Sequence, residues 1–285
     1  MDEKRTKVTI PELLAMVERG EKITFLTAYD YPTALLEDRA GMDMILVGDS
    51  GAMCLLGHKT TLPATMDFMV TITAAVSRAA TRAFVVGDMP YMSYQPSNEL
   101  AVQNAGRFIA EGGADAVKLE GGARMAERVE AIVKAGIPVM GHIGLTPQAA
   151  SAIGGLKAQG RSAATAKALI EDAKCLEEVG AFSILVEAVP AKVAEIITRQ
   201  AKVPILSIGS GPGCHGQLLI VHDILGLFEA FTPKFVKRYA DVSGLMLQAF
   251  QAYVKDVREG KFPGPEHTYG IPKEEWEDLK GLLTS

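Results

Sequence analysis

A chain of 285 residues, 48 % apolar and 22 % charged, is long enough to bury one barrel-sized core or two smaller ones. Its formal net charge of -5, with no strongly basic run, excludes a broad nucleic-acid surface. No apolar span reaches membrane length, and MDEKRTKVTI lacks the apolar core of a secretion signal, so the expectation is a cytoplasmic protein without membrane contact.

In chain order, TIPELLAMVER (9–19) predicts a helix ahead of the first strand, placed to cover the bottom of a barrel. Seven short apolar runs predict strands at 23–28, 44–48, 83–87, 115–119, 138–142, 183–187 and 204–208. Several are continuously apolar rather than alternating, as in parallel sheets covered on both faces. Amphipathic stretches separate them. PTALLEDRAG (32–41) ends in a helix-stopping glycine, Ser97 is placed to cap the helix before the fourth strand, and AATAKALIEDAKCLEEVG precedes the sixth. QLLIVHD (217–223) is the candidate eighth strand, and a helical region over roughly 234–259 would complete its unit. The tail carries one more helix candidate, KEEWEDLKGLL.

This rhythm predicts a (β/α)8 TIM barrel with an extra N-terminal helix; a doubly wound open sheet is the competing fold. No stretch reads as an interdomain linker, so residues 1–285 are expected to form a single domain. The small-residue segment at 150–165 reads as an enlarged loop on the active face. Cys54, Cys175 and Cys214 are odd in number and far apart, which argues against a disulfide framework.

The apolar runs tend to end in acids, as in ILVGDS, FVVGDMP, AVKLEGG and ILVEAVP. In a barrel these ends converge on the catalytic face, which would gather Asp49, Asp88, Lys118, Glu120, His142 and Glu187. Lys118 and Glu120 are two apart, so an extended backbone points both to one side; Ser183, Leu185 and Glu187 likewise share a side. Asp49 and Asp88 are the best pair of oxygen ligands for a hard divalent ion. Glu120 is either a third ligand or the holder of a metal-bound water. Taken singly, each acid also reads as a helix cap. Lys118 reads as a partner for a substrate carboxylate or an enolate, or as half of a salt bridge. Glu187 reads as a base, if partial burial raises its pKa, or as a cap. His142 is a donor to substrate or a structural histidine, and Ser50 is placed to bind an oxyanion. Tyr91 and Tyr94, close after Asp88, would line a pocket, meet another subunit or simply pack. SIGSGPGC matches neither a P-loop nor a dinucleotide fingerprint.

The motifs TAYDYPTA, ILVGDS, TLPATMDFM, VVGDMPYMSY, AVKLEGG, HIGLTPQ, GGLKAQGR and GPGCHGQLLIVHDILGL, in this order, closely resemble the ketopantoate hydroxymethyltransferase family over most of residues 24–228. The resemblance implies a barrel of the phosphoenolpyruvate-utilising type and a role in the route to pantothenate. It implies transfer of a one-carbon unit from 5,10-methylenetetrahydrofolate to 3-methyl-2-oxobutanoate. It implies Mg²⁺ on Asp49 and Asp88, with Glu120 at the metal or on one of its waters. It places Ser50 and Lys118 on the substrate, Glu187 as proton acceptor and His142 nearby. It also implies a homo-oligomer, often a decamer. The competing activity is a folate-independent lyase or aldolase acting on a small 2-oxo acid. The chain departs from the family pattern at the run around Thr73, at His215 and at His58-Lys59.

Overall fold

Residues 6–284 are described by the structure, a computed structural model. Eight strands form its centre: β1 (Ile23–Thr27), β2 (Met44–Val47), β3 (Phe84–Asp88), β4 (Ala116–Glu120), β5 (Val139–Gly144), β6 (Ser183–Glu187), β7 (Ile205–Ile208) and β8 (Gly216–Leu219). All pair in parallel in chain order, and β8 closes on β1. The open-sheet alternative is thereby set aside.

Continuous apolar strands suit this closure because each strand is buried twice. Met44, Leu46, Phe84, Val86, Ala116, Met140, Leu185 and Leu206 fill the barrel interior. Their neighbours Ile45, Val47, Val85, Val117, Leu119, Ile143, Ile184 and Val186 belong to the separate layer beneath the helices. The alternation then dictates where the polar strand ends point. Asp88 continues the inward set of Phe84 and Val86, Lys118 and Glu120 continue that of Ala116, and Glu187 continues that of Leu185. The glycine of VVGD falls on the outward face, where a Cβ at Gly87 would run into the ring of Phe108 on helix Asn98–Ala110.

The N-terminal helix, Ile10–Glu18, buries Leu13 and Met16 against the interior cluster and plugs the barrel. Helix Tyr31–Ala40 is capped by the Asp30 carboxylate and stopped at Gly41, with φ +90. Ser97 caps helix Asn98–Ala110 as its position predicts, and a capping box of Ser162 and Thr165 starts helix Ala163–Glu178. The three cysteines are free.

The eighth unit differs from expectation. β8 ends at Leu219, and residues expected to extend it instead form the short helix Val221–Ile224. The ladder has run out, since β1 ends at Thr27, whose hydroxyl accepts the Val221 N–H at 3.1 Å. The following helix spans Val242–Arg258, starting at an Asp241 cap rather than near 234. None of its residues is buried, so it does not cover the barrel as the helices between the strands do. Its Leu245, Leu247, Phe250 and Tyr253 are exposed. Among the described residues, no helix is long and apolar enough to cross a membrane.

Candidate active site

The strand ends meet at the C-terminal mouth. β3 and β4 lie side by side with Asp88 opposite Lys118, and the two close a 2.7 Å ion pair with both side chains buried. β5 brings His142 opposite Glu120, and β6 adds Glu187. Asp49 follows β2, where its backbone N–H donates to Asp88 Oδ2 at 3.1 Å. Ser50 comes next and shares a 2.8 Å hydrogen bond with the Tyr29 hydroxyl. All seven candidate residues therefore lie at one end of the barrel.

One lysine and one histidine face four carboxyl groups, and burial decides the charges. It pushes Asp88 up to about 7, against the pull of Lys118, with Asp49 adding to the rise. Glu187 is pushed up to about 8, again mainly by burial. Burial also raises Glu120 well above the carboxylate range. Lys118 resists the same burial, because Asp88, Glu120 and Asp49 hold its pKa above the ordinary value. His142 is held far below its ordinary value by burial and by Lys118, so its ring is neutral. Lys118 Nζ lies 3.3 Å from His142 Nδ1. An ammonium only donates, so Nδ1 accepts and the ring proton sits on Nε2. That nitrogen lies 3.1 Å from Glu187 Oε2, the outermost acid of the set.

Sequence reasoning did not assign Gln148, and it ties the set together. Its side chain is buried, and Nε2 donates to Asp49 Oδ2 at 2.9 Å and to the Met89 carbonyl at 3.0 Å. Its backbone N–H donates to Glu120 Oε2 at 3.0 Å. Tyr94 completes the clamp, donating to Gln148 Oε1 at 2.8 Å and accepting the Glu120 N–H at 3.0 Å. Of the two tyrosines in MPYMSY, then, Tyr94 is buried in the site and Tyr91 is exposed. The signal available for Gln148 was its place in HIGLTPQ; an amide carries no other mark in sequence.

The three departures from the family pattern lie away from this chemistry. Thr73 turns its hydroxyl back to the Met69 carbonyl within its own helix. His215 sits at the opposite end of the barrel, where Nδ1 accepts the Ile205 N–H at 3.0 Å. His58 and Lys59 are exposed.

Above the acids opens a cavity of about 740 Å³, reached by Ser50 and Glu187 and walled by Leu156, Phe231 and Phe235. Among the described residues, no three His, Cys, Asp or Glu groups are spaced to ligate one ion unaided.

A closed parallel barrel with buried carboxylates, a lysine and a neutral histidine at its C-terminal mouth defines a TIM-barrel enzyme. Solved structures of that fold agree. A 2,3-dimethylmalate lyase of the PEP mutase/isocitrate lyase superfamily superposes with a TM-score of 0.59 at 15% identity, covering 96% of this chain and 95% of that one. A phosphonopyruvate hydrolase complex with oxalate and Mg²⁺ gives 0.60 at 13% identity, with coverage of 96% and 95%. The ketopantoate hydroxymethyltransferase profile matches residues 7–265. The chain is 56% identical over 265 residues to the 3-methyl-2-oxobutanoate hydroxymethyltransferase of Moorella thermoacetica, covering 93% of this chain and 98% of that protein. It is 55% identical over 260 residues to that of Oleidesulfovibrio alaskensis, covering 90% of each. The chain belongs to the ketopantoate hydroxymethyltransferase family. Its reaction is hydroxymethyl transfer to 3-methyl-2-oxobutanoate, which places it apart from the lyase and aldolase alternative.

Proposed function

We propose that the donor is 5,10-methylenetetrahydrofolate and that Asp49 and Asp88 hold a Mg²⁺ ion, with Glu120 on the ion or on one of its waters. The observation that carries this is the position of Glu187, between the buried acids and a cavity of about 740 Å³. A cavity in the range that buries drug-sized ligands, roughly 300–1,000 Å³, is far larger than a five-carbon 2-oxo acid needs. A second, bulky reactant fits above the first.

The donor set suits the ion. Four carboxyl groups share a single ammonium, so oxygen donors exceed positive charge, as a hard divalent cation requires. The protein would give two ligands, leaving the remaining positions to water and substrate oxygens. Bound there, Mg²⁺ supplies Lewis acidity to the keto oxygen of the 2-oxo acid.

The protein side chains do the rest. Glu187 takes the proton from C3, and its elevated pKa matches it to that weak carbon acid. Lys118 adds fixed positive charge beside the developing anion. His142 Nε2 lies 3.1 Å from Glu187 Oε2 without forming a hydrogen bond to it, so the ring positions that carboxylate by contact. Ser50, steadied by Tyr29, orients the substrate's oxygens. The C3 electron pair then attacks the folate methylene carbon. That attack uses the methylene carbon after one of its two carbon–nitrogen bonds has opened, and water then replaces the second, its proton going to the departing nitrogen, giving 2-dehydropantoate and tetrahydrofolate in the route to pantothenate. The reaction belongs to the cytoplasm, where folates and 2-oxo acids meet. The exposed apolar residues of helix Val242–Arg258 support self-association, which sedimentation of the intact chain measures.

The test is product formation from 3-methyl-2-oxobutanoate and isotopically labelled methylenetetrahydrofolate, with and without Mg²⁺. Glu187→Gln should lower turnover and C3 proton exchange about 10²–10⁴-fold, the usual contribution of a positioned base. Labelled product from metal-free enzyme, or from Glu187→Gln at an undiminished rate, would refute these assignments.

A further inference from the structure

Asp223 stands on the short helix after β8 and lines the mouth cavity, with only 6% of the residue exposed. Its carboxyl group has neither a hydrogen bond nor an ion pair among the described residues. Arg238, which draws its pKa down, gives its guanidinium to Thr232 Oγ1 at 2.9 Å instead. Burial outweighs Arg238 and pushes Asp223 up to about 6, which leaves it ionised at neutral pH. A buried acid that serves the fold looks different. Asp38 accepts from the backbone N–H groups of Arg82 and Ala83 and from the Thr81 hydroxyl. A carboxylate buried without donors destabilises the fold that holds it, so its presence on a cavity wall calls for a ligand that brings them. The same cavity is lined by a second unanswered polar group, the buried Thr61 hydroxyl. Their polar neighbours are engaged: Ser210 donates to the Val186 carbonyl at 2.8 Å and accepts the Val189 N–H at 3.0 Å.

Position decides which reactant Asp223 addresses. The clustered acids, Lys118 and His142 come from the ends of β2 to β6, whereas Asp223 follows β8. A 2-oxo acid held between Asp49, Asp88 and Glu187 therefore leaves Asp223 to the second ligand. Only β7 separates the strand of Glu187 from β8, so the two ends lie about 10 Å apart at the usual spacing of roughly 4.8 Å between strands. That is the span of a fused two-ring system with a hydrogen bond at its end. The wall between them includes Ile208, Gly209, Gly211 and Ile220, an apolar floor for a flat heterocycle.

We propose that Asp223 binds the 2-amino-4-oxopyrimidine edge of the folate's pterin ring, its two oxygens accepting from the 2-amino group and from N3–H. This rests on the folate reading above. The two donors stand side by side on that edge, as the two acceptors of a carboxylate require, and both bonds are charge-assisted. The ring then lies over Ile208 and Ile220 with its N5 side turned towards Glu187. A ligand without those donors leaves the carboxylate buried and unanswered, so the site rejects it.

The experiment measures, by calorimetry at neutral pH with Mg²⁺ present, the affinities of tetrahydrofolate and of 2-desamino-2-methyltetrahydrofolate, which keeps the rings and loses the 2-amino donor. The unaltered enzyme should bind the analogue about 10²-fold more weakly, as expected for one lost bond to a buried charge. Asp223→Asn keeps the shape and removes the charge. It should weaken tetrahydrofolate about 10²-fold and bring the ratio between the two folates to within about threefold. Its affinity for 3-methyl-2-oxobutanoate should match that of the unaltered enzyme, because that ligand sits across the mouth. Should Asp223→Asn fold poorly, Asp223→Ser supplies the same ratio, and the ratio in the unaltered enzyme needs no variant. Equal affinity of the unaltered enzyme for the two folates overturns the contact, as does discrimination that survives the replacement. A loss of 2-oxo acid affinity parallel to that of tetrahydrofolate makes Asp223 a structural residue and overturns it too. Absence of both binding and turnover with either folate in the unaltered enzyme overturns the folate reading itself, and the contact with it.

Discussion

Replacing Gln148 by Leu tests the frame of the site, because the two side chains are similar in size and differ in hydrogen bonding. The amide makes four bonds: to Asp49 Oδ2, to the Met89 carbonyl, from the Tyr94 hydroxyl and from Gln95 Nε2. Two of these losses are cheap. Tyr94 keeps the Glu120 carbonyl as acceptor, and Gln95 is only half-buried. The Asp49 carboxylate and the Met89 carbonyl are different, since Leu offers neither a donor. Each buried group left unsatisfied costs roughly 1–3 kcal/mol, with the charged one at the upper end, so Gln148→Leu should lose about 2–6 kcal/mol. Urea unfolding measures this as a lowered midpoint at unchanged slope. Asp49 should also lose its fixed orientation, which calorimetric titration with Mg²⁺ reads as weaker binding. Combining the replacement with Asp49→Asn should give much less than the sum of the single losses, because the two share one bond. A loss under about 1 kcal/mol together with unchanged Mg²⁺ affinity would refute the clamp.

Glu37, on the buried side of helix Tyr31–Ala40, has two carboxyl oxygens without hydrogen-bond partners. Burial, reinforced by Asp30, pushes it up to about 8. In that window the native state holds a proton the unfolded chain releases above its ordinary value near 4.5, so stability falls as pH rises from there to about 8. Glu37→Leu should remove this slope and stabilise the protein by about 1–3 kcal/mol above pH 8. Thermal melts across that range check it, and parallel curves for the two proteins would sink the idea. Gly144 closes β5 at φ +92, where a Cβ would run into the Glu187 carbonyl oxygen and lie 2.8 Å from Val189 Cγ2. Gly144→Ala should therefore lose at least the roughly 1–2 kcal/mol of the left-handed conformation and displace Glu187, slowing C3 exchange. Unchanged unfolding and exchange would show that the loop absorbs the methyl.

What the chain disclosed of its fold and site follows from which forces are periodic. A buried strand declares itself by composition, and its period of two then aims every residue on it, so Lys118, Glu120 and Glu187 could be oriented from 115–119 and 183–187 alone. Gln148 could not be found that way. It lies in a short 3-10 turn, and its value comes from reaching Asp49 across 99 positions of sequence. No local pattern encodes such a contact. The eighth unit marks a related limit. QLLIVHD is apolar enough for a strand throughout, yet a strand persists only where neighbours offer a ladder, and β1 ends first. Helix Val242–Arg258 carries an apolar face that reads, from sequence, like those of the barrel helices. Periodicity shows that such a face exists and says nothing of what covers it. Here the barrel does not, so the face is left to the surroundings of the folded chain rather than to its core.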